Sequence, residues 1–167
     1  MKIETSAVRV WKRLNREERL AAAAAFWREP PEILVATALS SIVAARHLRP
    51  QAARALSEEA RAQALAAILD PGETLASSLL VALHLDQRRG LLAAFLDAVG
   101  LPHQDGLLQE DEHATPSPLS QDAARAGVQA LASRFPLDQV QTYLNTLWLQ
   151  DPGRWAVVEK AAEWLNP

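Results

Sequence analysis

The chain has 167 residues, of which 49% are hydrophobic and 22% charged, with a net charge of −3 at pH 7. That is enough apolar material to bury a core without staples and too little net charge for a disordered chain. Cysteine is absent, which excludes a disulfide scaffold, a thiolate zinc site, a cysteine nucleophile and a thiol switch.

Residues 1–13 lack the apolar run of a secretory signal. The most apolar stretch, Ile33 to Ala45, is interrupted by Thr37, Ser40 and Ser41 and falls well short of the roughly 20 residues that cross a bilayer. One soluble, cytoplasmic domain spanning 1–167 is therefore expected. Ala, Leu, Gln, Glu and Arg dominate, and β-branched residues never alternate with polar ones for a strand's length. The fold class is all-α: an irregular bundle of about seven or eight short helices.

In chain order, Asn15 with Glu18 forms a capping-box start for a helix through about Arg28, carrying Leu20, Ala24 and Trp27 as a single apolar stripe. That stripe predicts an outside helix, and the small residues Ala21 to Ala25 let a neighbour approach closely. Pro30 and Pro31 open the next helix, flanked by Glu29 and Glu32 before it and Arg46 and Arg49 after it, as a helix dipole prefers. Its apolar residues from Ile33 to Val43 occupy nearly every side, which predicts a surrounded, central helix.

Ser57 caps a helix to Leu69, and Asp70-Pro71-Gly72-Glu73 opens one through Leu85 whose leucines also point to the centre. Asp86 is placed to cap a helix that stops at Gly100, with Pro102 beyond it. Residues 100–120, with three prolines, two glycines and the run Glu110-Asp111-Glu112, read as a long irregular acidic loop. Ser120 or Asp122 then begins a helix to Arg134, Pro136 opens one through Trp148, and Asp151-Pro152-Gly153 opens the last, ending near Leu165. Asp-Pro-Gly thus occurs twice, 81 residues apart, close to two periods of a HEAT-like helix pair. The flanks share little, so an irregular bundle is preferred to a stacked repeat.

Chemistry-bearing residues are sparse. His84, His103 and His113, with Asp105, Glu110, Asp111 and Glu112, supply the imidazole and carboxylate groups that bind metals. Their spacing is irregular, and the competing reading is a solvated acidic loop with His84 in or near the core. No Gly-x-Ser-x-Gly elbow, Ser-x-x-Lys, Walker loop or Gly-x-Gly-x-x-Gly occurs. Neither catalysis nor a cofactor is expected.

Charge is uneven: residues 1–61 carry 11 basic and 7 acidic side chains, and residues 62–167 carry 6 and 13, giving +4 and −7. Arg9, Lys12, Arg13, Arg16 and Arg19 supply most of the basic excess. No clear recognition helix accompanies them, so nucleic acid is not the expected partner. Five tryptophans cluster toward the ends, Trp11 and Trp27 at one and Trp148, Trp155 and Trp164 at the other. At α-helical spacing Trp155, Val158, Ala162 and Leu165 share one stripe, which leaves Trp164 about 100° away as the candidate for partial exposure at an interface, while a core role is the preferred reading for the tryptophans.

The leading expectation is a non-catalytic module that binds another protein or a second copy of itself through an apolar, Trp-bearing helix face. Trp164, Trp155, Arg9, Arg13 and Arg16 are its candidate contact residues. Two alternatives stand beside it: a metal-dependent protein or enzyme built on His84, His103, His113 and the loop carboxylates, and a nucleic-acid binder using the basic N-terminal third.

Overall fold

Four of the helix starts, at Ser6, Asn15, Ser57 and Ser120, are set by a capping side chain. The structure, a computed structural model, describes residues 3–109 and 119–165. Its elements are α1 (Ala7–Arg13), α2 (Arg16–Arg28), α3 (Glu32–Arg46), α4 (Pro50–Ala55), α5 (Glu58–Ala66), α6 (Glu73–Gln87), α7 (Arg89–Val99), β1 (His103–Gln104), β2 (Leu107–Leu108), α8 (Gln121–Arg134), α9 (Leu137–Gln150), a 3-10 helix (Ala156–Lys160) and α10 (Ala161–Leu165). The fold is all-α, with ten α-helices and one two-residue hairpin among the described residues.

The Asn15 side chain accepts from the Glu18 amide at 2.9 Å, and the Glu18 carboxylate accepts from the Asn15 amide at 3.0 Å, so the expected capping box is closed. Ser57 and Ser120 each accept from the amide three residues on, at 3.2 Å. Gly100, with φ of 72°, ends α7 in the left-handed region. Two acids expected as caps are used otherwise. Asp70 pairs with Lys12 at 3.2 Å, and Asp86 lies inside α6 and pairs with Arg28 at 2.8 Å. No side-chain cap precedes α7.

Backbone contacts gather into two units, Ser6–Gln87 and Met1–Thr5 with Arg88–Pro167, the latter in its described residues. In the 6–87 unit α2 packs chiefly on α5 and α6, α1 lies on α6, and α3 touches α4, α5 and α6. The carboxylate of Glu73, at the start of α6, holds the start of α1 with both oxygens: the Ser6 hydroxyl donates at 2.6 Å and the Ala7 amide at 2.7 Å. Trp11, fully buried, donates its indole N–H to the Ile68 carbonyl at 2.8 Å.

The burial pattern reverses two expectations. Ala22, Ala23, Phe26 and Trp27 are buried while Leu20 remains 38% exposed, so α2 is a central helix rather than an outside one. Close approach made possible by the alanines explains it. Conversely α3 buries only Ala38 and Ile42 and lies at the edge. Of the two helices expected at the centre only α6 is there, burying Leu75, Ala76, Leu79, Leu80, Leu83 and His84.

In the 88–167 unit α7 and α8 are the principal pair, with Gly127 at their crossing. A Cβ added there would sit 2.7 Å from Val99 Cγ1 and 2.8 Å from Phe95 Cε2. Phe95 also meets Tyr143 edge-on at 5.5 Å and Trp155 at 6.0 Å between ring centres. The buried Asn145 on α9 accepts from the Glu4 amide at 2.7 Å and donates to the Gln141 carbonyl at 2.8 Å, so a segment from the start of the chain is bonded into this unit.

Segment 100–120 is not uniformly irregular. Asp105 and Gly106, with φ of 51° and 79°, make the two-residue turn of a hairpin pairing His103 with Leu108 and Gln104 with Leu107. The run Glu110 to Pro118 lies outside the described residues. The two Asp-Pro-Gly segments differ locally: the first leads through Gly72 (φ 88°) into a 15-residue α-helix, the second into a turn and a 3-10 helix.

Gly127→Ala is expected to destabilise the protein by about 1–3 kcal/mol through overpacking. Gly90, on the open side of α7 with nothing within 4 Å of an added Cβ, is the matched control, and Gly90→Ala should raise stability by up to ~1 kcal/mol. Urea midpoints at constant slope measure both.

Burial pushes the Tyr143 phenol well above its ordinary value. Because the folded state holds the proton more tightly than the unfolded chain, stability falls as pH rises above about 10, by up to ~1.4 kcal/mol per pH unit from this group. Tyr143 is the only tyrosine, so tyrosinate absorbance should appear only with unfolding, and Tyr143→Phe should flatten the alkaline slope.

Candidate functional site

The residues proposed for a metal do not converge. Both ring nitrogens of His103 are engaged: the Gly106 amide donates to Nδ1 at 3.2 Å, which places the ring proton on Nε2, 3.0 Å from Asp97 Oδ1. A metal would have to displace one of these bonds. Asp105 is paired with Arg89 at 3.0 Å. His84 is buried on α6, and His113, Glu110, Asp111 and Glu112 lie outside the described residues. Among the described residues, no three His, Asp or Glu side chains are placed to hold an ion.

Four of the five tryptophans are core residues of their own units. Trp11 and Trp27 are buried in the 6–87 unit, and Trp155 and Trp164 in the 88–167 unit, with Trp164 only 7% exposed. Of the two readings of Trp164 the core one holds, and the segment is not a continuous α-helix. Buried positions fall at Trp155, Val158, Ala161 and Trp164, every third residue, as the 3-10 helix at its start dictates. Trp148 is half-buried and donates to Glu159 at 2.9 Å.

The basic cluster near the start divides by task. Lys12 is paired with Asp70, and Arg19 donates to the carbonyls of Leu14 at 2.6 Å and Ala66 at 3.1 Å, tying α2 to the end of α5. Arg9 and Arg13 lie on the exposed side of α1, and Arg16 is exposed at the first position of α2.

The largest departure from an ordinary surface is α3. Thirteen consecutive residues, 33–45, carry no charge, yet the helix is at the edge of its unit. Its outward side is Ile33, Ala36, Thr37, Ser40 and Ala44, with Ile33 85% exposed. Val35, Leu39 and Val43 flank it, half-buried. The Ser41 hydroxyl donates to the Thr37 carbonyl at 3.0 Å, which satisfies it within the helix. Solvated helix faces normally display charge, and contiguous exposed apolar surface marks contact sites. The sequence signal was present in this uncharged run, but all-round apolarity reads as burial unless the neighbours are known.

No family model matches the chain, and no curated protein or solved structure matches it. Among the described residues, no helix is long and apolar enough to cross a membrane.

The orientation of α3 has a direct test. Ile33→Ser should change stability by no more than about 0.5 kcal/mol, whereas Ile42→Ala, at a fully buried position, should cost about 2–5 kcal/mol. Thermal or urea unfolding of the two variants distinguishes an edge helix from a surrounded one.

Proposed function

We propose that this protein is a non-catalytic protein-interaction module whose contact surface is the outward face of α3, and that the occupant of that face is α3 of a second copy, packed antiparallel. The observation that carries the reading is the uncharged, exposed side of an apolar edge helix, headed by Ile33. Its ends are self-complementary: acids precede it at Glu29 and Glu32, and Arg49 follows. A two-fold axis at its middle brings each acidic end to the partner's basic end, the self-matching geometry of a symmetric dimer. Ala36, Ser40 and Ala44, at intervals of four, allow the two backbones a close approach.

A helix pair of this length, about 22 Å each, buries less than a standard interface, so the affinity is expected to be on the order of 10 µM or weaker. Light scattering across a concentration series should show a monomer–dimer equilibrium. Ser40→Glu should abolish it, Glu32→Lys should weaken it, and adding Arg49→Glu to Glu32→Lys should restore it. A monomer at every concentration up to the millimolar range would defeat the reading.

A further inference from the structure

A second feature of the 6–87 unit is independent of the α3 face. Where the start of α2, the end of α5 and the end of α3 meet, a cavity of about 240 Å³ is lined by Arg16, Arg19, Arg46 and Gln63, over an apolar wall of Leu20, Ala66 and Ala67. No carboxylate lines it. The nearest acids in sequence, Glu17 and Glu18, are not part of the lining, and Glu18 is committed to the Asn15 amide.

The three guanidinium groups differ in role. Arg19 is fixed by the main-chain carbonyls of Leu14 and Ala66 through Nη1 and Nε, which leaves Nη2 without a partner among the described residues. Arg16 and Arg46 make no ion pair or hydrogen bond among the described residues, whereas Lys12, Arg28 and Arg89 each hold an aspartate. Arg46 is two residues beyond Ala44, 200° around the helix, so it is not on the outward face of α3. Three cations around one cavity repel one another, and the charge that would relieve them is an anion from outside the chain.

A second hollow of about 450 Å³ adjoins the cavity, sharing Leu20 and Gln63, and lies between α2 and α5 over Ala24 and Ala62, with Glu58 and Glu59 in its lining. From Ala66 back to Ala62 is about 6 Å along the helix, and to Glu58 about 12 Å. The result is a trough with a cationic end, an apolar floor and an acidic far end.

The geometry points to a binding site for a small amphiphilic anion: a phosphate or carboxylate head held by Arg16, Arg19 and Arg46, and a short alkyl chain lying along Leu20, Ala24 and Ala62. The acidic far end fixes the orientation, since it repels a head group placed there. Both head groups have the same chemistry at a guanidinium, a planar or tetrahedral set of oxygens accepting paired N–H bonds.

The test is isothermal titration of the full chain with hexyl phosphate, hexanoate and inorganic phosphate at low salt. Hexyl phosphate should bind about tenfold more tightly than inorganic phosphate, since the alkyl chain adds buried apolar contact. Arg16→Ser with Arg46→Ser should lower its affinity at least tenfold. Leu20→Glu, at a partly exposed position, should abolish the advantage of the alkyl chain, and circular dichroism checks that both variants keep their helices. Hexanoate binding within threefold of hexyl phosphate supports a site for alkyl carboxylates, and binding of hexyl phosphate alone supports one for phosphate monoesters. Equal affinity for hexyl phosphate and inorganic phosphate, no binding of either, or an unchanged affinity in the double arginine variant would overturn the inference. None of these outcomes depends on the oligomeric state.

Discussion

Two methyl groups set the arrangement of the 6–87 unit. Ala22 and Ala23 are wholly excluded from water, and because neither side chain extends beyond Cβ, α5 and α6 both close onto α2. A helix approached from two sides at that distance must be the centre, whatever its polar remainder suggests, and the interior is packed too densely for a second helix to share the position. Phe26 and Trp27 supply the bulk that the alanines lack, and their rings meet edge-on at 5.3 Å. Once α2 holds the middle, α3 has only one side to offer. It spends Ala38 and Ile42 on the core and leaves Ile33, Ala36, Ser40 and Ala44 outside. The trough between α2 and α5 has the same origin, since Leu20 and Ala24 are the residues that the central packing leaves over.

The 88–167 unit solves the same problem with a glycine. Gly127 on α8 admits Phe95 and Val99 of α7 to a distance that no side chain would permit, and Phe95, so placed, gathers Tyr143 and Trp155 around it. The hairpin is locked to α7 by equally small means. Gly106 is buried against the α7 backbone, where a Cβ would meet Leu92 Cβ at 2.8 Å and the Arg89 carbonyl at 3.0 Å. Arg89 and Asp97, both on α7, bond the hairpin residues Asp105 and His103 from either end of the helix.

Local chemistry was legible in the sequence where one side chain decides the outcome. The boxes and caps at Asn15, Ser57 and Ser120 and the exit at Gly100 depend on residues within three or four positions, and they form as read. Asp-Gly at 105–106 is an equally local signal for a two-residue hairpin, obscured there by the prolines and acids that surround it. Reading fails where a distant partner competes. Asp70 and Asp86 had the form of caps but found Lys12 and Arg28. Trp164 had the phase of an exposed residue, but the preceding turns are 3-10 and shift that phase. The candidate surfaces were the least legible: the apolar run of α3 has the composition of a core helix, and Arg46 meets Arg16 and Arg19 only through the tertiary path of the chain.

The bond between Glu4 and Asn145 spans 141 residues, and it makes the 88–167 unit discontinuous along the chain, with Ser6–Gln87 inserted between its two parts. Synthesis proceeds from the N-terminus at roughly 5–20 residues per second, so Glu4 waits roughly 7–28 s for Asn145 to be made. The inserted unit is complete in the meantime and is free to fold first, on contacts that lie entirely within its own sequence. Closure of the other unit is then a late event, made across the 141 residues that separate Glu4 from Asn145. The order of assembly runs outward from Ser6–Gln87, with Glu4 and Asn145 joined last.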